Sequence, residues 1–282
     1  MPRIHIGDWI NALVQFLLRN AGGFFDGLSQ AILATVEGVN YVLIRPHPLV
    51  ILAAFVALAW LASRRWELAL FTLVAFILVD SMQLWVAAMQ TLAVVVVAAS
   101  AALVIGIPLG IWAARNGRVS VAVRPVLDFM QTLPVFVYLL PAVFFFGIGL
   151  VPGVVATTVF AIPPAVRLTE LGVRQVDHEF VEAAVAFGAG PRQVLREVQL
   201  PLAVTSIMTG VNQVIMLSLS MVVIAGMVGA QGLGAVVVGA ITSLNIGAGF
   251  EGGLAVVVLA MYLDRVTAAF GTRGRATARA NG

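Results

Sequence analysis

Thirty consecutive residues, from Leu84 to Ala113, carry no charge, and only Gln90, Thr91 and Ser100 among them are polar. As an α-helix rising about 1.5 Å per residue, such a stretch reaches about 45 Å, more than the roughly 30 Å hydrocarbon thickness of a bilayer. A chain that contains it must either bury it completely or take lipid as its solvent. Composition decides for lipid: 61% of residues are hydrophobic, 10% are charged and the mean hydropathy is +1.05, well outside the globular range. In lipid the backbone must satisfy its own hydrogen bonds, which apolar runs of this kind do as helices. The fold class is therefore an all-α polytopic membrane protein.

The remaining segments are shorter and punctuated. Residues 1–47 show apolar side chains at helical spacing interrupted by Asp, Asn, Gln and Arg, which suits N-terminal amphipathic helices lying in the interface or packed on the rest of the chain. Pro46 and Pro48 end that segment. Residues 48–80 hold the runs Leu49 to Ala62 and Leu68 to Val79, separated by Ser63-Arg64-Arg65-Trp66-Glu67. Each is shorter than the ~20 residues of a comfortable span. Two short accessory transmembrane helices in a hairpin are preferred over one broken helix. After Ala113 a polar loop is expected from Arg115 to Asp128, then runs Val135 to Val151 and Val154 to Val166 around Pro152-Gly153. Beyond the polar segment Arg167 to Gln199, apolar sequence resumes from Leu202 to Val228. A Gly-rich stretch with a half-helix at Ala235 to Ile241 follows, then Leu254 to Leu263, which is expected to begin within that stretch, and an Arg-rich tail, 269–282.

All 16 basic residues are Arg. Without Lys no phosphate-binding loop of the GxxxxGK[ST] type can form, so any nucleotide hydrolysis that drives this protein belongs to another chain. The absence of Cys excludes disulfides and thiolate chemistry, and His5, His47 and His178 are too dispersed for a metal site. The net charge of only +3 is scattered between apolar runs, which argues against nucleic acid despite the pI near 10.2. The N-terminal MPRIHIGDWI lacks the pattern of a cleaved leader, so insertion is expected to rely on internal segments. Arg orients the chain instead. About seven spans with the N-terminus outside put 13 of the 16 Arg in the cytoplasm, leaving Arg3, Arg19 and Arg45 outside, as the positive-inside rule demands. The C-terminus is then cytoplasmic, and so is the segment 177–201.

That segment reads as a helix-turn-helix. Asp177 caps a first helix with Glu179 and Glu182 in its early turns, where negative charge suits the dipole. Gly188 is placed to end it, Gly190-Pro191 to begin a second helix, and Pro201 to close that one. Ala183, Ala184 and Gly188 leave a small-residue surface against which a partner backbone can approach.

Glu182-Ala183-Ala184, then three residues, Gly188, nine residues, Val198, Gln199, Leu200 and Pro201 resemble the EAA motif of ABC importer permeases, with Val198 in place of the usual Ile. The resemblance extends over Leu127 to Val155, Ala165 to Pro201 and Gly210 to Gly234, and so to roughly Leu84 to Arg265, about two thirds of the chain. There the chain is similar to the permease subunit of glycine betaine/proline betaine ABC importers. The first 80 residues match less specifically. The resemblance implies a type I ABC importer permease fold, a MetI-like core of about five transmembrane helices over 84–268 with extra N-terminal helices. It also implies a homodimer in the cell membrane, two ATPase subunits on the cytoplasmic side that bind ATP and Mg, and a separate extracytoplasmic solute-binding protein. This chain would be a non-catalytic subunit with no cofactor of its own. By position, Glu182, Ala183, Ala184 and Gly188 would make the coupling contact with the ATPase. Leu200 and Pro201 would set the return into the membrane, and Arg192 and Arg196 would pair with acidic groups or merely mark the loop as cytoplasmic.

Polar residues inside apolar helices are the default lining of a translocation path: Gln131, Thr132, Tyr138, Asn212, Gln213, Ser218 and Ser220, with Met216 and Met221 as adaptable gate surface. Helix-helix hydrogen bonding and core filling explain them as well. Phe136, Tyr138, Phe144, Phe145 and Phe146 are clustered as a cage for a quaternary ammonium group would be, yet their spacing spreads them around a helix. Same-superfamily permeases for choline, carnitine or an amino acid remain alternatives. An ion-coupled secondary transporter would need mid-span carboxylates and an internal repeat, neither of which is evident. An intramembrane enzyme would need a constellation such as HExxH or GxSxG, which is absent.

Overall fold

The computed structural model describes residues 6–280. Arg3, His5 and the last two residues of the Arg-rich tail lie outside the described residues. The described elements are helices: α1 (Ile6–Ile44), α2 (Pro48–Ser63), α3 (Trp66–Ser81), α4 (Trp85–Arg115), α5 (Gly117–Thr132), α6 (Val135–Phe146), α7 (Leu150–Arg174), α8 (His178–Ala186), α9 (Pro191–Gln193), a π-helical stretch (Val194–Gln199), α10 (Leu200–Ser220), α11 (Val222–Met227), α12 (Leu233–Thr242) and α13 (Ile246–Ala280).

The charge-free run forms α4, and α4 is central because small residues let a neighbour in. A Cβ added at Gly106 would stand 2.5 Å from the Ala165 Cβ, and one at Gly110 only 2.6 Å from the Val166 carbonyl oxygen. The backbones of α4 and α7 therefore touch, the usual basis of helix association where lipid removes the hydrophobic drive. α7 packs in turn on α10, and α10 on α13. Around this core, α2 and α3 form the expected hairpin, turning at Arg64 in a left-handed conformation (φ 56°). The hairpin docks on α13 through Phe55, Phe76 and Tyr262, whose ring centroids lie 5.0 to 5.3 Å apart.

Among the described residues, five helical segments are long and apolar enough to cross a membrane: Gly7–Ile44, Trp85–Arg115, Leu150–Arg174, Pro191–Met227 and Ile246–Ala269. Counting the bent α5–α6 pair makes six. α2 and α3, read from sequence as spans, have 16 residues each, about 24 Å of helix. The N-terminal segment is helical from Ile6 to Ile44 and kinks at Ala21, which divides it into two helical parts. Its later part packs on α4 through Val36, while Trp9, Leu13 and Phe16 before the break are exposed.

The expectations for Pro152 and Pro201 are corrected. Pro152 sits in the first turn of α7, where its missing N–H costs nothing, and Pro163-Pro164 lie inside a helix that runs on to Arg174. Pro201 does not close the helix that begins at Pro191. Helix continues through Pro201, from Pro191 to Ser220 and, after a turn at Met221, on to Met227, and the π-helical stretch just before Pro201 absorbs the lost i→i−4 bond. The presumed loop Arg115 to Asp128 is largely helix, because the Asn116 side chain caps α5 by accepting from the Arg118 N–H at 3.0 Å. α5 then meets α6 at a 96° bend.

Candidate coupling site and translocation path

α8 carries Glu182, Ala183 and Ala184 on nine residues, none of them buried. Its ends are held by local bonds. The Asp177 carboxylate accepts from the Glu179 N–H at 3.1 Å, and one turn on, His178 Nδ1 lies 3.0 Å from Glu182 Oε1. At the other end Gly188 takes φ +86°. Its N–H donates to the Val185 carbonyl at 2.9 Å, and the Ala189 N–H donates to the Ala184 carbonyl at 3.0 Å, a complete Schellman cap. Phe187, 94% exposed, stands beside Phe180 and Val185, also exposed. The result is a capped, uncovered knob with apolar side chains outward. α8 rests on the π-helical stretch after α9. Arg192 and Arg196 are exposed there, Val194 is buried, and Leu200 and Pro201 follow as the first residues of α10.

Immediately before α8, the last turns of α7 hold a buried acid. The Glu170 side chain is 8% exposed. It accepts from Ser120 Oγ at 2.6 Å and lies 3.4 Å from the Arg124 guanidinium, both on α5, and 3.1 Å from Arg174 Nε on its own helix. Arg174 also donates to the Ala113 carbonyl at 2.9 Å, in the last turn of α4. Arg167 pairs with Asp128 nearby, and a cavity of about 320 Å³ opens between these groups.

The residues expected to line a path are dispersed. Asn212 donates to Asp264 Oδ1 at 2.7 Å and accepts from Thr267 Oγ1 at 3.1 Å, tying α10 to α13. Ser218 is buried and bonds the Val214 carbonyl, and Met221 is buried against Leu139 and Ala156. These three sit inside the protein. Gln131, Thr132, Gln213, Met216 and Ser220 are exposed on the single chain, Thr132 and Ser220 bonding carbonyls of their own helices. Tyr138 is half-buried, meets Phe160 edge-on at 6.5 Å, and keeps a hydroxyl with no hydrogen-bond partner. The aromatic cluster forms no cage: Phe145 stacks on Phe25 of α1 at 4.4 Å, while Phe136 and Phe144 point outward.

Residues 106–275, which include α7 through α12 with the α8 knob, match the family described as binding-protein-dependent transport system inner membrane component. The chain belongs to this family. Among the relatives of this inner membrane component, the glycine betaine transport system permease protein OpuAB of Bacillus subtilis is 49% identical over 95% of this chain and 94% of its own length. The glycine betaine/proline betaine transport system permease protein ProW of Escherichia coli is 44% identical over 96% of this chain and 77% of its own. Among solved structures, an inward-facing form of the MetNI methionine ABC transporter superposes with a TM-score of 0.59 at 26% identity, covering 70% of this chain and 97% of that one. The MetI-like permease fold and the multi-pass membrane character expected from the sequence thus hold.

In this inner membrane component, sequence reasoning missed Glu170, Asp264 and Phe187. The i,i+4 spacing of Glu170 and Arg174 was a usable signal. The Ser120 partner, 50 residues away, was not.

Proposed function

We propose that this chain is the membrane-spanning half of a homodimeric, ATP-driven importer for glycine betaine, proline betaine or a closely related methylated-ammonium solute. Two ATPase subunits beneath it would bind the ATP and Mg, and a separate extracytoplasmic protein would deliver the solute. The observation that carries the coupling role is α8: a helix that bears the Glu182-Ala183-Ala184 triplet, buries none of its own residues, is closed by caps at both ends and rests only on the π-helical stretch behind it. A surface of that kind is made for a partner's cleft. Closure of the ATPase pair would draw the two α8 helices together and switch the path between inward- and outward-facing states, a rigid-body form of alternating access. Glu182, Ala183, Ala184 and Gly188 form the contact, Arg192 and Arg196 flank it, and Leu200 and Pro201 carry the displacement into α10. The names of the 49% and 44% identical relatives support the solute class.

Reconstitution with the cognate ATPase and binding protein tests this reading. Uptake of glycine betaine should require ATP and should vanish with Glu182→Arg or Ala184→Trp. Uptake that survives both changes removes α8 from the coupling contact, and uptake by this chain without any ATPase removes the importer assignment itself. Binding of choline, carnitine or an amino acid, and not betaine, to the partner binding protein would reassign the solute.

A further inference from the structure

A buried carboxylate is retained in a membrane protein only where its partners repay its desolvation, and Glu170 has partners on two helices. Ser120 Oγ donates to it at 2.6 Å and Arg124 approaches to 3.4 Å, both from the early turns of α5, while Arg174 Nε closes the cluster at 3.1 Å from α7. Arg174 also reaches back to the Ala113 carbonyl at 2.9 Å. α7 ends at Arg174, and Asp177, the cap of α8, lies three residues on. The cluster is therefore the buried polar tie between the base of the α8 knob and α5, beside the exposed Arg167–Asp128 pair, and the far end of α5 bends by 96° into α6. α6 in turn packs Leu139 against Met221 and Ala156 in the interior.

We infer that Glu170 is a positioning residue for coupling: its bonds to Ser120 and Arg124 carry the displacement of α8 into the α5–α6 pair, so that the path moves when the ATPases close. This rests on the coupling role proposed for α8. Without the Glu170 bonds, α7 and α8 can shift while α5 stays behind, and ATP is hydrolysed with less solute moved.

The chain contains no Cys, so Ser120→Cys introduces a single thiol of nearly the same size and a much weaker donor, testing the bond apart from the packing. In the reconstituted complex, uptake per ATP hydrolysed should fall by about 2- to 30-fold in Glu170→Gln, the range for residues that carry coupling between sites, and should fall in the same direction in Ser120→Cys. Hydrogen exchange on the vanadate-trapped complex supplies a second readout. In the wild-type complex the amides of both α8 and α5 should change protection on trapping. In Glu170→Gln those of α8 should still change and those of α5 should not. Should Glu170→Gln fail to assemble, Ser120→Cys carries both comparisons. An unaltered uptake-to-hydrolysis ratio, or α5 amides that respond as in the wild type, overturns the inference. A wild-type complex that shows no ATP-dependent uptake overturns the importer reading instead, so the two failures are distinguishable.

Discussion

At nine residues with none buried, α8 is shorter than the roughly 12 residues at which isolated helices become even marginal in water. Its packing is limited to the π-helical stretch, so its caps must supply much of what holds it. Replacing Asp177 by Ala deletes the side-chain bond to the Glu179 N–H, at a cost of about 1 kcal/mol. Replacing Gly188 by Ala puts a Cβ on a residue at φ +86° with nothing within 4 Å of it, so the cost is purely conformational, about 1–2 kcal/mol. The two caps share no hydrogen-bond partner, and their costs should add. The sum, about 2–3 kcal/mol, lowers the equilibrium constant for forming α8 by about 30- to 150-fold. Hydrogen exchange on the purified permease reads this directly: Asp177→Ala/Gly188→Ala should lose protection across Ala183–Ala186, and uptake in the reconstituted complex should fall with it. Gly188→Asn, which tolerates the left-handed region, should restore much of both. If the double variant keeps wild-type protection in α8, the helix is held by something other than its caps, and the reasoning fails.

Other expectations follow from single contacts. Phe187→Ala, at a position 94% exposed, should leave the thermal stability of the permease within about 0.5 kcal/mol. It should weaken ATPase association by about 30-fold if Phe187 is an aromatic anchor worth about 2 kcal/mol, and a titration showing equal affinity would remove that role. Gly234→Ala drives a Cβ to 2.0 Å from the Val222 carbonyl oxygen, backbone that cannot rotate away. It should cost about 1–3 kcal/mol in a detergent melt, whereas Gly239→Ala in the same helix, with open space around it, should be neutral or stabilising by up to about 1 kcal/mol; equal melts for the two would refute the close approach of α11 and α12. Tyr262 is buried between Phe55 and Phe76, with its hydroxyl 3.5 Å from the Phe55 carbonyl. Tyr262→Phe should therefore melt close to the wild type, and Tyr262→Ala lower by about 3–5 kcal/mol.

What could be read from the sequence was what lipid enforces. A charge-free run had to be a helix, and α4 is one. The α8 knob was legible down to its caps, because Asp177 and Gly188 act through bonds to residues two to five positions away. Proline misled wherever its missing donor falls in a place that does not matter or is compensated: Pro152 in a first turn, Pro201 behind a π-helical stretch. α5 was taken for a loop because its polar residues dominate, although Asn116 followed by apolar positions at helical spacing was there to be read. The Glu170 and Asn212 networks depend on partners 46 to 55 residues away. A single sequence carries no trace of such pairings. Nor does it show which way a polar side chain in a span points, and so Ser218 and Met221, candidates for a path, lie buried inside the protein.

The helical segment from Pro191 to Met227, which turns once at Met221, has a mechanical meaning. At about 1.5 Å per residue it is a rod of about 55 Å, with the knob at one end and the Gly-rich turn before α12 at the other. A tilt of only about 5° pivoting near one end moves the other by about 5 Å, on the order of one helical turn. On the coupling role proposed for α8, small motions at the knob end are thereby magnified at the end that leads to α12. The π-helical stretch at Val194–Gln199, between α9 and α10, then sets how much of that stroke is transmitted and how much is lost to bending.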